Sequence, residues 1–166
     1  MSLGSRSPSG IVTSHGTTTR RLQNAYADVV TRRAWAELTD LFRADAPIEI
    51  DTRRGDDGVF RFVGPQALGE FISGAMVQFD FFEFVILNTR IELGVGGDSD
   101  AADGRMYMSE IRTDADTGTW NISFGVYHDS YRHADGRWWF ARRRYHSLGR
   151  TGETRDIDAF PFPHDL

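Results

Sequence analysis

Two polar side chains in the aromatic-rich half of the chain could carry acid–base chemistry, Glu110 and Arg143. A carboxyl group in an apolar pocket has a raised pKa, and this suits it to act as a general base near neutral pH. An arginine nearby could hold an anionic group or polarise a carbonyl group of a substrate. The alternative is that the two side chains neutralise each other, because buried charges need partners whatever their function. Glu110 and Arg143 are therefore the candidate catalytic residues.

Two absent residue types exclude several kinds of chemistry. The chain has no cysteine, which excludes disulfides, thiolate nucleophiles and cysteine-ligated metals. It has no lysine either, which excludes Schiff-base catalysis and the lysine of a phosphate-binding loop. The five histidines, at positions 15, 128, 133, 146 and 164, have no spacing typical of metal ligands. The sequence therefore predicts no metal and no cofactor.

Length and charge indicate a single soluble domain. The chain has 166 residues and a formal net charge of −5, which gives no basic surface for nucleic acid. No apolar run approaches the ~20 residues that span a bilayer. The first twenty residues lack the apolar stretch of a secretory signal, so residues 1–17 are predicted to be a disordered leader. We expect a cytoplasmic protein that binds neither nucleic acid nor a membrane.

Hydrophobic periodicity predicts helices first and then a large antiparallel sheet, which is an α+β arrangement. Apolar residues at helical spacing predict helices over 20–33, 34–44 and 64–76. Runs of β-forming residues predict strands over 48–51, 59–63, 81–93, 105–114, 119–132 and 137–148. The domain is predicted over 18–150. In the tail 151–166, Phe160 and Phe162 are expected to fold back over the body.

Hairpin loops determine which residues face each other across the strands. A two-residue turn at positions 116 and 117 would set Glu110 opposite Ser123 and Met108 opposite Gly125. These four residues would then share one face of the sheet. If the register of the strand over 81–93 holds, Glu110 would also lie near Asn88.

The second hairpin, around the sequence HADGR, has two possible loops. A two-residue Asp-Gly turn would set Tyr127 opposite Arg144. A three-residue Ala-Asp-Gly loop would set Tyr127 opposite Arg143 and Asp129 opposite Ala141. The residues alone do not decide between the two.

Several stretches, in this order and spacing, resemble the SnoaL-like branch of the nuclear transport factor 2-like superfamily, which includes ketosteroid isomerase-like and scytalone dehydratase-like proteins. They are AYADVV, WAELTDLFRADA, GPQALGEFI, NTRI and GVYHDSYRHADGRWWFARRR, and the resemblance covers about residues 18–148. It implies a cone-shaped, strongly curved, mainly antiparallel sheet wrapped around N-terminal helices, with a pocket at the open end. It also implies pairing of subunits, sheet to sheet, as dimers or trimers.

The resemblance favours the three-residue loop, because pocket-lining positions of the family then fall together on Tyr127 and Arg143. It places an apolar strip on the convex face of the sheet, made of Trp120, Ile122, Phe124 and Val126. An exposed strip of this kind is a liability on a monomer. We expect it to be the interface of a homodimer or homotrimer.

The catalytic residues of the resembling dehydratases and dehydrohalogenase are missing. Their histidine base precedes the Asn of the NTRI-like segment by four residues, and here that position is Phe84, since the Asn is Asn88. Their aspartate follows the tyrosine of the YADVV-like segment by about five residues, and here that position is Thr31. The His–Asp mechanism therefore does not carry over. The residues predicted to bind substrate are Tyr26, Thr31, Phe84, Asn88, Met108, Ser123, Tyr127 and His146.

Three functions are compatible with these residues. The first is a cofactor-independent lyase, isomerase or hydrolase acting on a small, mostly apolar ring compound, with Glu110 as acid or base and Arg143 as electrophilic support. The second is a binding protein for an apolar, aromatic or steroid-like molecule, with no turnover. The third is a structural subunit of a larger enzyme, since the superfamily includes such subunits.

Overall fold

The computed structural model describes residues 9–53, 58–151 and 156–163. Helix α1 spans Ser9–Arg32 and helix α2 spans Gly64–Met76. The predicted helix over 34–44 is a shorter 3-10 helix, Trp35–Asp40, because Phe42 already forms a bridge to the sheet at Phe140. The predicted leader over 1–17 falls partly outside the described residues, and α1 begins at Ser9 within it.

Strands account for most of the rest of the described chain. They are β1 (Pro47–Asp51), β2 (Val59–Val63), β3 (Phe79–Leu93), β4 (Ala101–Asp114), β5 (Trp120–Ala134), β6 (Arg137–Thr151) and β7 (Ile157–Ala159). They form one sheet in the order β2-β1-β6-β5-β4-β3, with β7 added to β6. All pairs are antiparallel except β1 with β6. The α+β class and the mainly antiparallel, curved sheet are confirmed.

The interior forms where the apolar stripe of α1 meets the concave face of the sheet. Leu22, Tyr26 and Val30 recur at helical spacing, and all three are buried. The ring of Tyr26 contacts the ring of Phe84 on β3 edge to face, with 5.6 Å between the ring centroids. The helix stops where Arg33 takes a φ of +59°, which turns the chain away from the helix axis. Among the described residues, no helix is long and apolar enough to cross a membrane.

Bulges explain how the long strands curl around α1. The pairing of β3 with β4 shifts by one residue between Ile86 and Asn88. The pairing of β5 with β6 shifts between Phe124 and Gly125, and again between Ser130 and Tyr131. An extra residue on one strand bends it and increases its twist. The bulges therefore also decide which side chains reach the interior.

The two hairpin predictions have different outcomes. The register of β4 with β5 is confirmed, with Glu110 opposite Ser123. The three-residue loop is wrong: Ala134 pairs with Arg137 around a two-residue turn at Asp135 and Gly136, which have φ of +54° and +76°. Positive φ at both central residues is the turn that matches the twist of two adjacent strands.

A bulge then changes the pairing beyond that turn. Because Ala141 is an extra residue on β6, Arg143 lies opposite Asp129 and Tyr145 lies opposite Tyr127. The prediction that Tyr127 and Arg143 face each other directly is therefore wrong. Both side chains are nevertheless buried on the concave side of the sheet.

The ring of Tyr145 crosses the sheet directly over Gly125. A Cβ atom at position 125 would lie 2.1 Å from Cε2 of Tyr145, which no packed interior accommodates. We expect Gly125→Ala to lower the free energy of unfolding by about 1–3 kcal/mol, because the ring must leave its place. The measurement is urea unfolding at equilibrium.

The matched control for this substitution is Gly74→Ala, because nothing lies within 4 Å of a Cβ atom at that exposed helical position. This control should stabilise the protein by about 0.5–1 kcal/mol, since alanine restricts the unfolded chain and favours helix. Equal effects of the two substitutions would contradict the close approach of Tyr145 to Gly125.

The convex face carries an apolar strip that is only partly open. Trp120 is 59% exposed and packs against the ring of Phe81, with 5.5 Å between the ring centroids. Val126, at the other end of the predicted strip, is fully buried. The C-terminal segment explains part of this difference, because the ring of Phe162 stacks on Tyr107, the residue opposite Val126. The expectation that the tail folds back over the body is confirmed for residues 156–163.

Candidate functional site

A buried ion pair occupies one part of the interior. Arg143 and Asp129 are both 0% exposed in their side chains. The Nε and Nη2 atoms of Arg143 donate hydrogen bonds of 2.7 and 2.8 Å to the two carboxylate oxygens of Asp129. This bidentate geometry is the strongest form of the arginine–carboxylate pair. The alternative that Arg143 neutralises Glu110 is therefore wrong, since Asp129 is the partner of Arg143.

Two further residues complete the hydrogen bonding of this pair. The hydroxyl of Tyr131 donates to Asp129 at 3.1 Å, and Nε2 of Gln23 on α1 donates to the hydroxyl oxygen of Tyr131 at 2.6 Å. The network thus ties the helix to the centre of the sheet. Sequence reasoning missed Gln23, whose amide is fully buried. Its position next to the apolar stripe of α1 was the signal that could have found it.

Aromatic rings enclose the guanidinium group of Arg143. Its Cζ atom lies 4.0 Å from the ring centroid of Tyr26, 4.2 Å from that of Tyr127 and 4.3 Å from that of Phe140. Rings at these distances stabilise a desolvated cation. The Nη1 atom of Arg143 is buried and has no hydrogen-bond partner in the described part of the chain. Arg143 therefore affects the interior through its position and its charge, and its Nη1 atom is an unused hydrogen-bond donor.

Glu110 lies in a different part of the interior. Its Oε2 atom accepts hydrogen bonds from Nη1 of Arg112 at 3.0 Å and from the hydroxyl of Ser123 at 3.4 Å. Its side chain is 21% exposed. Burial raises the pKa of Glu110, while the charge of Arg112 and the hydrogen bond from Ser123 lower it, and the net shift is upward. Sequence reasoning missed Arg112.

The two positions at which the resembling enzymes carry their histidine and aspartate lie together in the fold. The backbone N–H of Phe84 on β3 donates a hydrogen bond of 3.1 Å to Oγ1 of Thr31, in the last turn of α1. Phe84 in turn lies directly opposite Glu110 on β4. A carboxylate therefore sits one strand away from the position where the resembling enzymes carry their histidine.

Three buried tyrosines lie near Glu110, and two of them, Tyr26 and Tyr127, also lie near Arg143. Burial raises the pKa of Tyr26, Tyr127 and Tyr145 above the ordinary value of tyrosine. Their hydroxyl groups therefore keep their protons at neutral pH and can donate hydrogen bonds, but they cannot serve as bases. The carboxyl group of Glu110, whose pKa is also raised by burial, lies in the same part of the interior.

Met108 lies where it was predicted, and two other predicted residues do not. Met108 is fully buried on the concave face, beside Ile86. Asn88 is exposed and pairs with Tyr107, because the bulge after Ile86 turns it to the convex side. The prediction that Asn88 lies near Glu110 is therefore wrong.

His146 also lies on the convex side of the sheet. It pairs with Val126, and its Nδ1 atom is 3.4 Å from a carboxylate oxygen of Asp51. Because of the bulge at Ala141, Tyr145 lies on the concave side of the sheet and His146 lies on the convex side. The prediction of His146 as a substrate-binding residue is corrected for this reason. Within the described ranges, no group of three or more His, Asp or Glu side chains could hold a metal ion.

A curved sheet around an N-terminal helix, with an acid and several tyrosines inside, defines a small α+β cone protein. The chain belongs to the SnoaL-like domain family, whose sequence profile matches residues 17–144. No curated protein sequence matches the chain significantly. The family assignment therefore rests on the sequence profile, and the comparison with solved structures supports the fold.

Solved structures share this fold at low sequence identity. A protein assigned as a scytalone dehydratase, from Novosphingobium aromaticivorans DSM 12444, superposes with a TM-score of 0.72 at 20% identity, over 86% of this chain and 90% of that chain. The hexachlorocyclohexane dehydrochlorinase LinA-type3, from Novosphingobium barchaimii LL02, gives a TM-score of 0.71 at 15% identity, over 94% of this chain and 97% of that chain. At these identities the likeness shows the fold alone.

Proposed function

We propose that this protein is a cofactor-independent acid–base enzyme, a lyase or isomerase, in which Glu110 moves the proton. The observation that carries the proposal is the position of Glu110 directly opposite Phe84, where the resembling enzymes have their histidine base. The raised pKa of Glu110 is that of a carboxyl group adapted to proton transfer. The names of two structural neighbours, a dehydratase and a dehydrochlorinase, describe eliminations.

The proposed step needs only groups of this chain. The carboxylate of Glu110 removes a proton from a substrate carbon, and the electron pair of that C–H bond forms a C=C bond. In a lyase, a leaving group departs from the neighbouring carbon with its own electron pair. In an isomerase, the substrate already has a C=C bond beside that carbon. The π electrons of this bond take the proton back from Glu110 at its far carbon, so the double bond moves by one position. Tyr127 and Tyr26 would orient an oxygen or halogen of the substrate by donating hydrogen bonds. The substrate class is a small, mostly apolar ring compound.

Arg143 has a supporting role in this proposal. Because Asp129 and three rings enclose it, it does not contact the substrate through its paired nitrogens. Its positive charge lies over the rings of Tyr26 and Tyr127 and opposes the rise in the pKa of both hydroxyl groups, which makes them better donors. The earlier assignment of Arg143 as a catalytic residue thus becomes that of a positioning residue.

The test is proton abstraction from 5-nitrobenzisoxazole, a general probe of a positioned base that does not require the natural substrate. The expected result is a rate above the buffer background that Glu110→Gln abolishes. The matched control is Glu83→Gln, because Glu83 is exposed on the same sheet and carries the same charge. An unchanged rate in Glu110→Gln would show that the proposed base is wrong.

A second candidate is a binding protein without turnover. The observation in its favour is that the dyad positions are taken by Thr31 and Phe84, which bind each other. Its test is thermal stabilisation by apolar ring compounds, steroids included. Stabilisation by a compound that stays chemically unchanged after long incubation, together with no reaction of 5-nitrobenzisoxazole in the wild type, would favour binding over catalysis.

We also propose that the chain forms a homodimer or homotrimer through the apolar strip on the convex face. The exposed rings of Trp120 and Phe81 support this, because a solvated pair of large rings gains free energy when covered. Light scattering should give two or three times the mass of 18.8 kDa. Trp120→Glu should shift the protein toward the monomer, whereas a monomeric wild type would contradict the proposal.

A further inference from the structure

A groove lies on the convex face, on the opposite side of the sheet from Glu110. It has a volume of about 410 Å³ and crosses strands β3, β4, β5 and β6, near the end of β3 and the start of β4. This volume is within the range of sites for small molecules, about 300–1,000 Å³. The groove is polar, unlike the interior of the cone, and the proposed acid–base function does not use it.

A row of basic side chains forms the floor of the groove. Arg90, Arg105, His128 and Arg144 lie directly opposite one another on four adjacent strands. Neighbouring strands are about 4.8 Å apart, so these side chains are close enough to interact. Like charges directly opposite each other, as in Arg90 and Arg105, destabilise a sheet. Such a row therefore needs negative charge beside it or over it.

The donors of this row are only partly used within the protein. Arg144 contacts Glu49 at 3.4 Å, and Arg90 contacts Glu92 at 3.9 Å, both at the long end for an ion pair. Arg105 has no hydrogen bond or ion pair to any residue in the described ranges. The Nε2 atom of His128 is buried and likewise has no hydrogen-bond partner among the described residues.

The charges surrounding His128 all repel a proton. Burial lowers the pKa of His128, and His146 and Arg144 on β6 and Arg105 on β4 lower it in the same direction, together to about 4. The imidazole is therefore neutral at physiological pH, and arginines carry the positive charge of the groove. An anion placed between Arg105 and Arg144 would relieve their repulsion and allow His128 to take up a proton.

The two ends of the groove differ in charge. A second row on the same face lies beside the basic row: Arg142 and Ser130 lie next to Arg144 and His128, whereas Asp103 and Glu92 lie next to Arg105 and Arg90. A second anionic group at that end would meet two carboxylates. The groove therefore suits one anionic group joined to a neutral or positively charged body.

We infer that this groove binds the phosphate group of a small phosphate monoester, held between Arg105 and Arg144 over His128. A tetrahedral phosphate has enough oxygens to accept hydrogen bonds from two guanidinium groups at once, and arginine presents a planar fork that matches it. The absence of lysine from the chain leaves arginine as the basic residue of the site. The carboxylates at the far end favour a body with an ammonium or hydroxyl group.

The test is binding of inorganic phosphate and O-phosphoethanolamine, measured by calorimetry at constant ionic strength with chloride as the replaced ion. The expected result is saturable binding of both, tighter for O-phosphoethanolamine, and no gain with pyrophosphate. Arg105→Gln and Arg144→Gln should each weaken binding by about tenfold or more, because each removes a charge-assisted contact. The matched control is Arg21→Gln, since Arg21 is exposed on α1 and carries the same charge.

A spectroscopic measurement on His128 makes the result specific to this groove. NMR titration of its imidazole should show a higher pKa in the presence of phosphate than in chloride. Absence of saturable binding, equal weakening by Arg21→Gln, or a pKa of His128 that phosphate leaves unchanged would overturn the inference. Burial of His128 in a subunit interface that excludes phosphate would overturn it too. Glu110→Gln should leave phosphate binding unchanged, so this inference and the proposed catalytic function fail independently.

Discussion

Replacing Asp129 with alanine is expected to lower the free energy of unfolding by about 3–5 kcal/mol, because it leaves the charge of Arg143 buried without a partner. Both side chains are fully inaccessible to solvent, so water cannot take the place of the lost carboxylate. The hydroxyl of Tyr131 loses its acceptor in the same variant. The measurement is equilibrium unfolding in urea, followed by circular dichroism.

The control for charge alone is Asp80→Ala, since Asp80 is exposed on β3. This variant should change the free energy of unfolding by less than about 0.5 kcal/mol. The double variant Asp129→Leu, Arg143→Met tests the reason for the loss. It should recover most of the stability, because apolar residues of similar volume commonly replace a buried ion pair without cost. If the double variant is as unstable as Asp129→Ala, the contacts between the guanidinium group and the aromatic rings are themselves needed for stability.

Glu110→Gln is expected to lower the rate of proton abstraction by about 10²–10⁴-fold, the usual contribution of a general base. The rate of the wild type should rise with pH as Glu110 loses its proton. Because burial raises the pKa of Glu110, the midpoint of that rise should lie above 4.5, the ordinary value for a glutamate. A rate that is flat from pH 4 to pH 8 would contradict this role.

The same carboxyl group should make the stability of the protein depend on pH. A group whose pKa is higher in the folded state binds its proton more tightly there than in the unfolded chain. The stability that protonation contributes is complete below pH 4.5 and is lost as the pH rises through the pKa of Glu110 in the folded protein. Glu110→Gln should lack this decrease, whereas Glu83→Gln should retain it. Urea unfolding at a series of pH values measures the difference.

The course of the first hairpin could be predicted from residues alone, but that of the second could not. The alternation of apolar and polar residues in β4 and β5, with a short turn between them, placed Glu110 opposite Ser123 correctly. In β6 the insertion of Ala141 shifts every later side chain by one position. Such a bulge has no signature in the local pattern, because it arises from the curvature that the whole sheet needs to wrap around α1.

The sequence by itself determined the class of fold, the family, the interior position of Glu110 and Met108, and the loss of the His–Asp dyad at Phe84 and Thr31. These depend on hydrophobic periodicity and on motifs, which are local properties of the chain. The tertiary structure decided which charges meet. Arg143 pairs with Asp129, Glu110 pairs with Arg112, and the basic row with His128 lies outside the cone. Register shifts and buried charge pairs depend on contacts between distant strands, which no local pattern records.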